Sequence, residues 1–271
     1  MTEVHTLDVP GARLHYEVRG SGPVLVVVGQ PMSAAHLASL AEALAAHHTV
    51  VTTDPRGIAN SPLEDPELDV PVDQRADDVV AILDDLGAGT ADLFGSSGGA
   101  VTGLSLVTRH PDRLRTLVAH EPPLLELLPD REAQRAATDD IVATFHAEGP
   151  GPAFGKFMAH AGFVGGDEGA PAGPPPGPPP SEQDMRDAAR FLAHDLLVTT
   201  RYVPDVEALR AAPTRIVIGV GEASGHLLTH RTSTALAEEL GVAPTFFPGD
   251  HGGFLDDPAG FAEVLTKVLA G

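Results

Sequence analysis

The chain has 271 residues, with 17 Lys and Arg against 38 Asp and Glu, which gives a formal net charge of −21. Such an acidic surface repels nucleic-acid backbones and anionic membranes, so we expect neither as a partner. The absence of Cys excludes disulfides, thiolate metal sites and thiol nucleophiles. Because residues 1–20 lack the apolar segment of a signal peptide and no apolar run is long enough to span a bilayer, we expect a soluble cytoplasmic protein.

Short apolar runs alternate with longer amphipathic runs through the first half of the chain. The predicted elements are strands 13–18 and 24–28, helix 34–47, strand 49–53, helix 72–86, strand 90–95, helix 98–109 and strand 115–119. The continuously apolar run 24–28 is typical of a central strand that is covered on both faces. Strands that alternate with helices predict an α/β fold with a mostly parallel, doubly wound sheet.

The alternation of strands and helices stops after Glu121. Three helices are predicted next, over 130–147, 151–163 and 181–200. A Pro- and Gly-rich tract, residues 169–180, favours an extended loop between the last two of them. The alternation then resumes with strand 215–220, helix 229–240, strand 244–247 and helix 258–269. We therefore predict one core, residues 1–121 and 214–271, interrupted by a helical insertion over residues 122–213.

A nucleophile motif follows one predicted strand and opens the next predicted helix. Gly95, Ser97 and Gly99 form G-x-S-x-G, in which the small residues let a strand and a helix approach closely around a strained serine. Ser96 is a less suitable nucleophile because Phe94 would then stand where a small residue is needed. The alternatives are a Gly-rich structural turn or a phosphate-binding loop at a helix N-terminus, but the segment has neither a Walker nor a GxGxxG pattern.

A serine nucleophile needs a general base, and His251 is the candidate. It lies in a Gly-rich segment after the last predicted strand and before the last predicted helix. The carboxyl ends of parallel strands meet at one edge of a sheet, so we expect His251 on the same side as Ser97. The alternative is an exposed loop histidine, because the chain contains 13 His.

Ser97, His251 and residues 54–61 together resemble the α/β-hydrolase superfamily. Residues 54–61 read Asp-Pro-Arg-Gly-Ile-Ala-Asn-Ser and are similar to its D-x-R-G-x-G-x-S segment, with Ala59 in place of a glycine. The resemblance implies the α/β-hydrolase fold, with residues 122–213 as a helical cap. It also implies a hydrolase that uses neither a metal nor a cofactor.

The resemblance implies a third residue that orients His251. The family most often places an Asp on the loop after the strand that follows the insertion, where this chain has Ser224 with Glu222 nearby. Some members, including haloalkane dehalogenases and zearalenone lactonases, use a Glu at the position of Glu121. We favour Glu121, with Glu222 as the alternative, and interpret Asp250 as a loop residue.

The resemblance also implies that the backbone N–H groups of Gly98 and Gln30 hold the oxyanion. The Gln30 side chain is a further candidate donor to substrate. Six residues are candidate substrate contacts: Gly29, Pro31, Met32, Ser96, Phe157 and Phe191. The aromatic residues among them are also expected to pack the cap.

The sequence therefore predicts a serine hydrolase that cleaves a carboxylic ester or lactone through an acyl-enzyme. The segments around Ser97 and Glu121 resemble those of zearalenone lactonases, which favours a lactone. A lyase or perhydrolase with the same triad, and a receptor-like protein with an idle triad, stay open as alternatives. We expect a small apolar substrate as the partner, and a homodimer stays open.

Overall fold

An eight-stranded sheet forms the centre of the computed structural model, which describes residues 1–164 and 181–271. The predicted Pro- and Gly-rich loop over 169–180 lies outside the described residues. The strands are β1 Thr2–Val9, β2 Ala12–Gly20, β3 Val24–Gln30, β4 Thr49–Thr53, β5 Ala91–Ser97, β6 Leu114–His120, β7 Arg215–Gly221 and β8 Thr245–Phe247. Their order is β1-β2-β4-β3-β5-β6-β7-β8, in which β1 and β2 pair antiparallel and all pairs from β4 to β8 are parallel.

Helices connect the parallel strands and flank both faces of the sheet, which confirms the predicted doubly wound α/β fold. The α-helices are α1 Ala38–Leu44, α2 Val72–Asp85, α3 Gly98–Arg109, α4 Arg131–Glu148, α5 Pro150–Ala161, α6 Glu182–Arg190, α7 Leu196–Thr200, α8 Val206–Ala211, α9 Leu228–Leu240, α10 Gly253–Asp256 and α11 Pro258–Ala270. A π-helical turn, Phe191–Asp195, joins α6 to α7. Within the described residues, none of these helices has both the length and the hydropathy to cross a membrane.

Strand β3 illustrates why a continuously apolar run becomes a central strand. Successive side chains of a strand point to opposite faces, so the run contributes to two separate cores. Val26 and Val28 belong to the apolar cluster under α2 and α3, whereas Leu25 and Val27 belong to the cluster under α1 and α11. Burial of each such side chain contributes roughly 1.5–3 kcal/mol.

Several elements differ from the sequence prediction, among them α8 and α10, which it does not contain. The helix predicted over 34–47 is shorter, because Asp54 accepts a hydrogen bond from the Ala34 N–H at 2.7 Å and a turn precedes α1. Strand β1 was not predicted. Most of its side chains are exposed, and Val4 points to solvent, so this edge strand lacks a clear apolar alternation.

The cap over the carboxyl edge of the sheet is built from α4, α5, α6 and α7. It has an apolar cluster of its own, formed by Ile141, Ala153, Phe191, Leu192 and Leu196. Helix α8 lies within the predicted insertion 122–213, but its Leu209 packs in the main core cluster beside α3 and α9. The cap helices therefore end at α7, and the chain is part of the core again before residue 214.

Candidate active site

Ser97 lies on a tight turn between β5 and α3. Its backbone has φ 56° and ψ −123°, a left-handed conformation that is strained for a residue with a Cβ. The turn brings the backbone of α3 close to two strands. A Cβ added at Gly95 would overlap the Gly99 carbonyl oxygen, and one added at Gly99 would overlap the Val28 carbonyl oxygen. The two motif glycines are therefore required by close backbone approach.

Replacement of Gly99 by Ala is expected to lower the free energy of unfolding by about 3 kcal/mol, because its Cβ would displace the β3 backbone. Gly155 is a matched control, since it lies within α5 and a Cβ there would meet nothing within 4 Å. Gly155→Ala is expected to raise the stability of its helix by about 0.5 kcal/mol. Thermal and urea unfolding measure both changes, and equal stabilities of the two variants would contradict this account of the turn.

His251 and Glu121 meet at the carboxyl edge of the sheet. Glu121 directly follows β6, and His251 lies between β8 and α10. The distance from His251 Nδ1 to Glu121 Oε2 is 2.6 Å. The Glu121 side chain is fully buried, whereas His251 retains 16% of its side-chain exposure, toward the cavities that also contain Ser97. The topology thus brings together residues from the ends of β5, β6 and β8.

The Glu121 carboxylate is held by three donors. Its Oε1 accepts the Gly221 N–H at 2.9 Å, and its Oε2 accepts the Thr229 hydroxyl at 2.8 Å as well as the His251 bond. Burial alone raises the pKa of Glu121, but the hydrogen bond and charge of His251 outweigh burial and lower the pKa to about 2. The carboxylate is therefore ionised at neutral pH. With His251 Nδ1 donating to it, Nε2 is left as the proton acceptor.

The other acid candidates do not reach His251. Glu222 is exposed, and its backbone N–H donates to the Phe247 carbonyl at 2.9 Å. Asp250 accepts the Gly252 N–H at 2.8 Å and so stabilises its own loop. Ser224 is fully buried beside Gly221, at the position where the family most often has an Asp.

The two predicted oxyanion donors are neighbours. Gln30 ends β3 and Gly98 begins α3, and a Cβ added at Gly98 would lie 2.8 Å from Gln30 Cβ. Both residues line a cavity that also contains Ser97. The Gln30 side chain is tied to the cap, because its Nε2 donates to Asp195 Oδ2 at 3.1 Å. Gln30 also lines both cavities, so a contact between its side chain and substrate stays a prediction.

Two cavities meet at Ser97 between the cap and the sheet. The outer cavity has a volume of about 290 Å³ and the inner cavity about 60 Å³. Both are lined by the following residues: Gln30, Ser97, Phe157, Phe163, Phe191 and His251. The Phe163 ring packs against the His251 ring with centroids 5.8 Å apart. The cap thus covers the predicted catalytic groups with aromatic side chains.

Four of the six predicted substrate contacts line these cavities: Pro31, Met32, Phe157 and Phe191. The other two do not. Gly29 lies behind the Met32 side chain, which a Cβ at Gly29 would approach to 2.9 Å. Ser96 points away from Ser97, as strand alternation requires, and is fully buried.

Ser96 instead contacts a buried histidine. Its hydroxyl lies 3.2 Å from His120 Nδ1, and the His120 ring lies 6.1 Å from the His251 ring. Burial lowers the pKa of His120 to about 4. His120 is therefore neutral at pH 7 and adds no positive charge beside His251.

The sequence prediction missed further residues of the site. The outer cavity is also lined by His36, Asp184 and Asp187, and a buried ion pair joins Arg75 to Asp195 beneath Gln30. Asp195 carries a sequence signal: it is a carboxylate within the mostly apolar helical run around Leu192 and Leu196. A buried charge in such a run needs a partner.

Known proteins with similar sequences and structures identify the family of this chain. A sequence model of the alpha/beta hydrolase fold matches residues 22–164. The chain is 33% identical to the uncharacterized hydrolase YraK of Bacillus subtilis (strain 168), over 97% of this chain and 95% of that protein. It is 25% identical to a zearalenone hydrolase of Bionectria ochroleuca, over 97% and 96% of the two chains.

A solved esterase structure from Exiguobacterium antarcticum is similar in fold, with a TM-score of 0.75, 16% identity and coverage of 100% of both chains. The family match covers more than half of this chain, and the YraK match spans nearly all of it. The resemblance in the sequence motifs is thereby confirmed. The chain belongs to the α/β-hydrolase family, and it is a hydrolase.

Proposed function

We propose that this hydrolase cleaves a carboxylic ester or lactone through a Ser97–His251–Glu121 triad. One observation carries the proposal: the buried Glu121 carboxylate bonds His251 Nδ1 at 2.6 Å, beside a cavity that contains Ser97 on its strained turn. A buried carboxylate is costly unless it is paired. In a triad, the Glu121 carboxylate would orient the His251 imidazole and stabilise its protonated form.

The reaction proceeds in two halves. Ser97 Oγ attacks the carbonyl carbon while His251 Nε2 takes the hydroxyl proton, and the backbone N–H groups of Gln30 and Gly98 hold the oxyanion. Collapse of the tetrahedral intermediate breaks the carbonyl carbon–alkoxy oxygen bond, and His251 returns the proton to the leaving alcohol. Water then attacks the acyl-enzyme with the same base and releases the acid. A lactone gives one hydroxy acid, because its alcohol remains attached.

The cavity walls favour a neutral, apolar substrate. The outer cavity is lined by Met32 and the aromatic rings of Phe154, Phe157, Phe163 and Phe191. Such a surface binds apolar groups through burial. Asp184 and Asp187 also line it, so a substrate carboxylate would meet like charge. The 25% identical relative named for zearalenone supports a lactone as one candidate.

A substrate panel tests this proposal. We expect wild-type protein to hydrolyse p-nitrophenyl butyrate and a neutral aromatic lactone. A p-nitrophenyl ester of a dicarboxylic acid should have a kcat/KM at least about tenfold lower, because its charge opposes the carboxylates of the outer cavity. Initial rates with a Ser97→Ala control give the comparison.

The panel also separates the alternatives. Failure of the wild-type protein to hydrolyse any ester or lactone would contradict the proposal. A lyase or perhydrolase would leave these substrates intact and consume another metabolite, and a receptor-like protein would bind a ligand stoichiometrically without releasing product.

A further inference from the structure

A buried ion pair joins the cap to the core directly beneath the predicted oxyanion hole. Arg75 lies on α2, and Asp195 ends the π-helical turn between α6 and α7. Arg75 Nη2 lies 2.9 Å from Asp195 Oδ1, and the two side chains are 5% and 0% exposed. The second carboxylate oxygen, Oδ2, accepts a hydrogen bond from Gln30 Nε2 at 3.1 Å. One carboxylate thus contacts a core helix and the end of β3 from a position in the cap.

Stability does not explain this pair. Desolvation of two charges offsets much of their attraction, and apolar residues of similar volume are often at least as stabilising. The cap already has apolar contacts of its own, through Phe191, Leu192 and Leu196. A π-helical turn is uncommon and occurs often at functional sites. The energetic cost of the pair and the unusual backbone at Asp195 both point to a role in positioning.

Gln30 is the residue that Asp195 would position. Its backbone ends β3, and its side chain packs against Gly98, where an added Cβ would approach Gln30 Cβ to 2.8 Å. Gln30 is buried, with a relative exposure of 3%. A movement of the Gln30 main chain at the end of β3 would therefore shift one predicted oxyanion donor relative to the other. Misplacement of catalytic groups by about 1 Å can cost about 100-fold in rate.

We infer that Asp195 is a positioning residue of the oxyanion hole: from the cap, it fixes the Gln30 side chain and thereby the Gln30 backbone N–H. Arg75 keeps the Asp195 carboxylate in place. This role rests on the proposed function, since it assigns the oxyanion to Gln30 and Gly98. Through this contact, the cap helps to assemble the catalytic site when it packs on the core, in addition to covering the cavities.

The first test compares two buried ion pairs that share helix α2. Asp195→Asn is expected to lower kcat on p-nitrophenyl butyrate, and the rate at which a fluorophosphonate labels Ser97, by about 10-fold to 100-fold. KM should change by less than about threefold, because ground-state contacts persist. The control is Asp78→Asn, which breaks the buried Arg56–Asp78 pair on the same small cavity but removes no hydrogen-bond partner of Asp195 or Gln30. It should lower Tm and leave kcat within about twofold of wild type.

A double-mutant cycle tests whether Asp195 acts through Gln30. Gln30→Leu keeps the backbone N–H and removes the hydrogen bond, so its loss should not add to that of Asp195→Asn. The paired variant Arg75→Met with Asp195→Leu should recover Tm without recovering kcat, since an apolar pair replaces the charges but cannot hold Gln30.

Three results would overturn the positioning role: wild-type kcat in Asp195→Asn, additive losses in the cycle, or wild-type kcat in the apolar pair. The wild-type arm keeps this failure separate from failure of the proposed function. If the fluorophosphonate does not label Ser97 in wild-type protein, the proposed function is overturned and the positioning role with it. If it does label Ser97 there, equal labelling of Asp195→Asn overturns the positioning role alone.

Discussion

Ser97→Ala is expected to lower kcat on p-nitrophenyl butyrate by about 10⁵-fold or more, as loss of the nucleophile does in other serine hydrolases. Alanine keeps the turn, because Ser97 already has a Cβ at φ 56°, so the loss reports on the missing hydroxyl. The residual rate should come from the oxyanion donors and the cavity. Steady-state kinetics at saturating substrate measures the change.

The matched control is the neighbouring serine. Ser96 is fully buried against His120 and does not line either cavity, so Ser96→Ala should keep kcat within about tenfold of wild type. Loss of activity in Ser96→Ala with retention in Ser97→Ala would reverse the assignment of the nucleophile.

Glu121→Gln is expected to lower kcat by about 10⁴-fold, the cost of replacing the triad acid by its amide in a serine protease. The amide removes the negative charge that lowers the free energy of protonated His251. Its NH₂ group can also donate to Nδ1, which would favour the wrong tautomer of the imidazole. The side-chain volume hardly changes, so packing around Gly221 and Thr229 is retained. KM and kcat on the same ester, with circular dichroism of the folded variant, measure the effect.

Glu222→Gln is the control for this prediction. Glu222 is exposed and its carboxylate makes no hydrogen bond to a described residue, so kcat should stay within about twofold of wild type. A large loss in Glu222→Gln together with a small loss in Glu121→Gln would show that the acid lies on the loop after β7 instead.

The sequence predicted most of the sheet because its signals are local. Apolar runs marked β3 and β4, and the helix predicted over 98–109 matches α3 at both ends. Strand β1 was missed because most of its side chains are exposed and its outer face carries Val4, which obscures the apolar alternation of Leu7 and Val9 on the inner face. The boundary between α8 and the cap was also missed, because whether Leu209 packs on the core or the cap depends on tertiary contacts.

Candidate site residues were predictable where chemistry and local backbone coincide. The turn around Ser97 is recognisable in the sequence because the close approach of the strand and helix backbones requires glycines on both sides of the serine. Glu121 was preferred through resemblance to a family, since 130 positions separate it from His251 and spacing alone could not pair them. Ser96 was assigned to the cavity by its sequence position, but strand alternation turns it away.

The contact between Gln30 and Asp195 could not be predicted from a single sequence. The two residues are 165 positions apart and belong to a strand end and a cap helix. A periodicity of 3.6 residues per turn would predict which face of the helix carries Asp195. The π-helical turn changes the face on which the Asp195 side chain lies. Only the folded arrangement of cap, α2 and β3 brings its carboxylate to Gln30.

Covalent labelling of the nucleophile tests the central claim most directly. Wild-type protein is treated with a fluorophosphonate, digested, and analysed by tandem mass spectrometry to locate the modified residue. We predict one adduct, on Ser97, with labelling slowed in Glu121→Gln and unchanged in Glu222→Gln. An adduct on Ser96 or elsewhere, or no adduct on a protein that hydrolyses esters, would contradict this prediction.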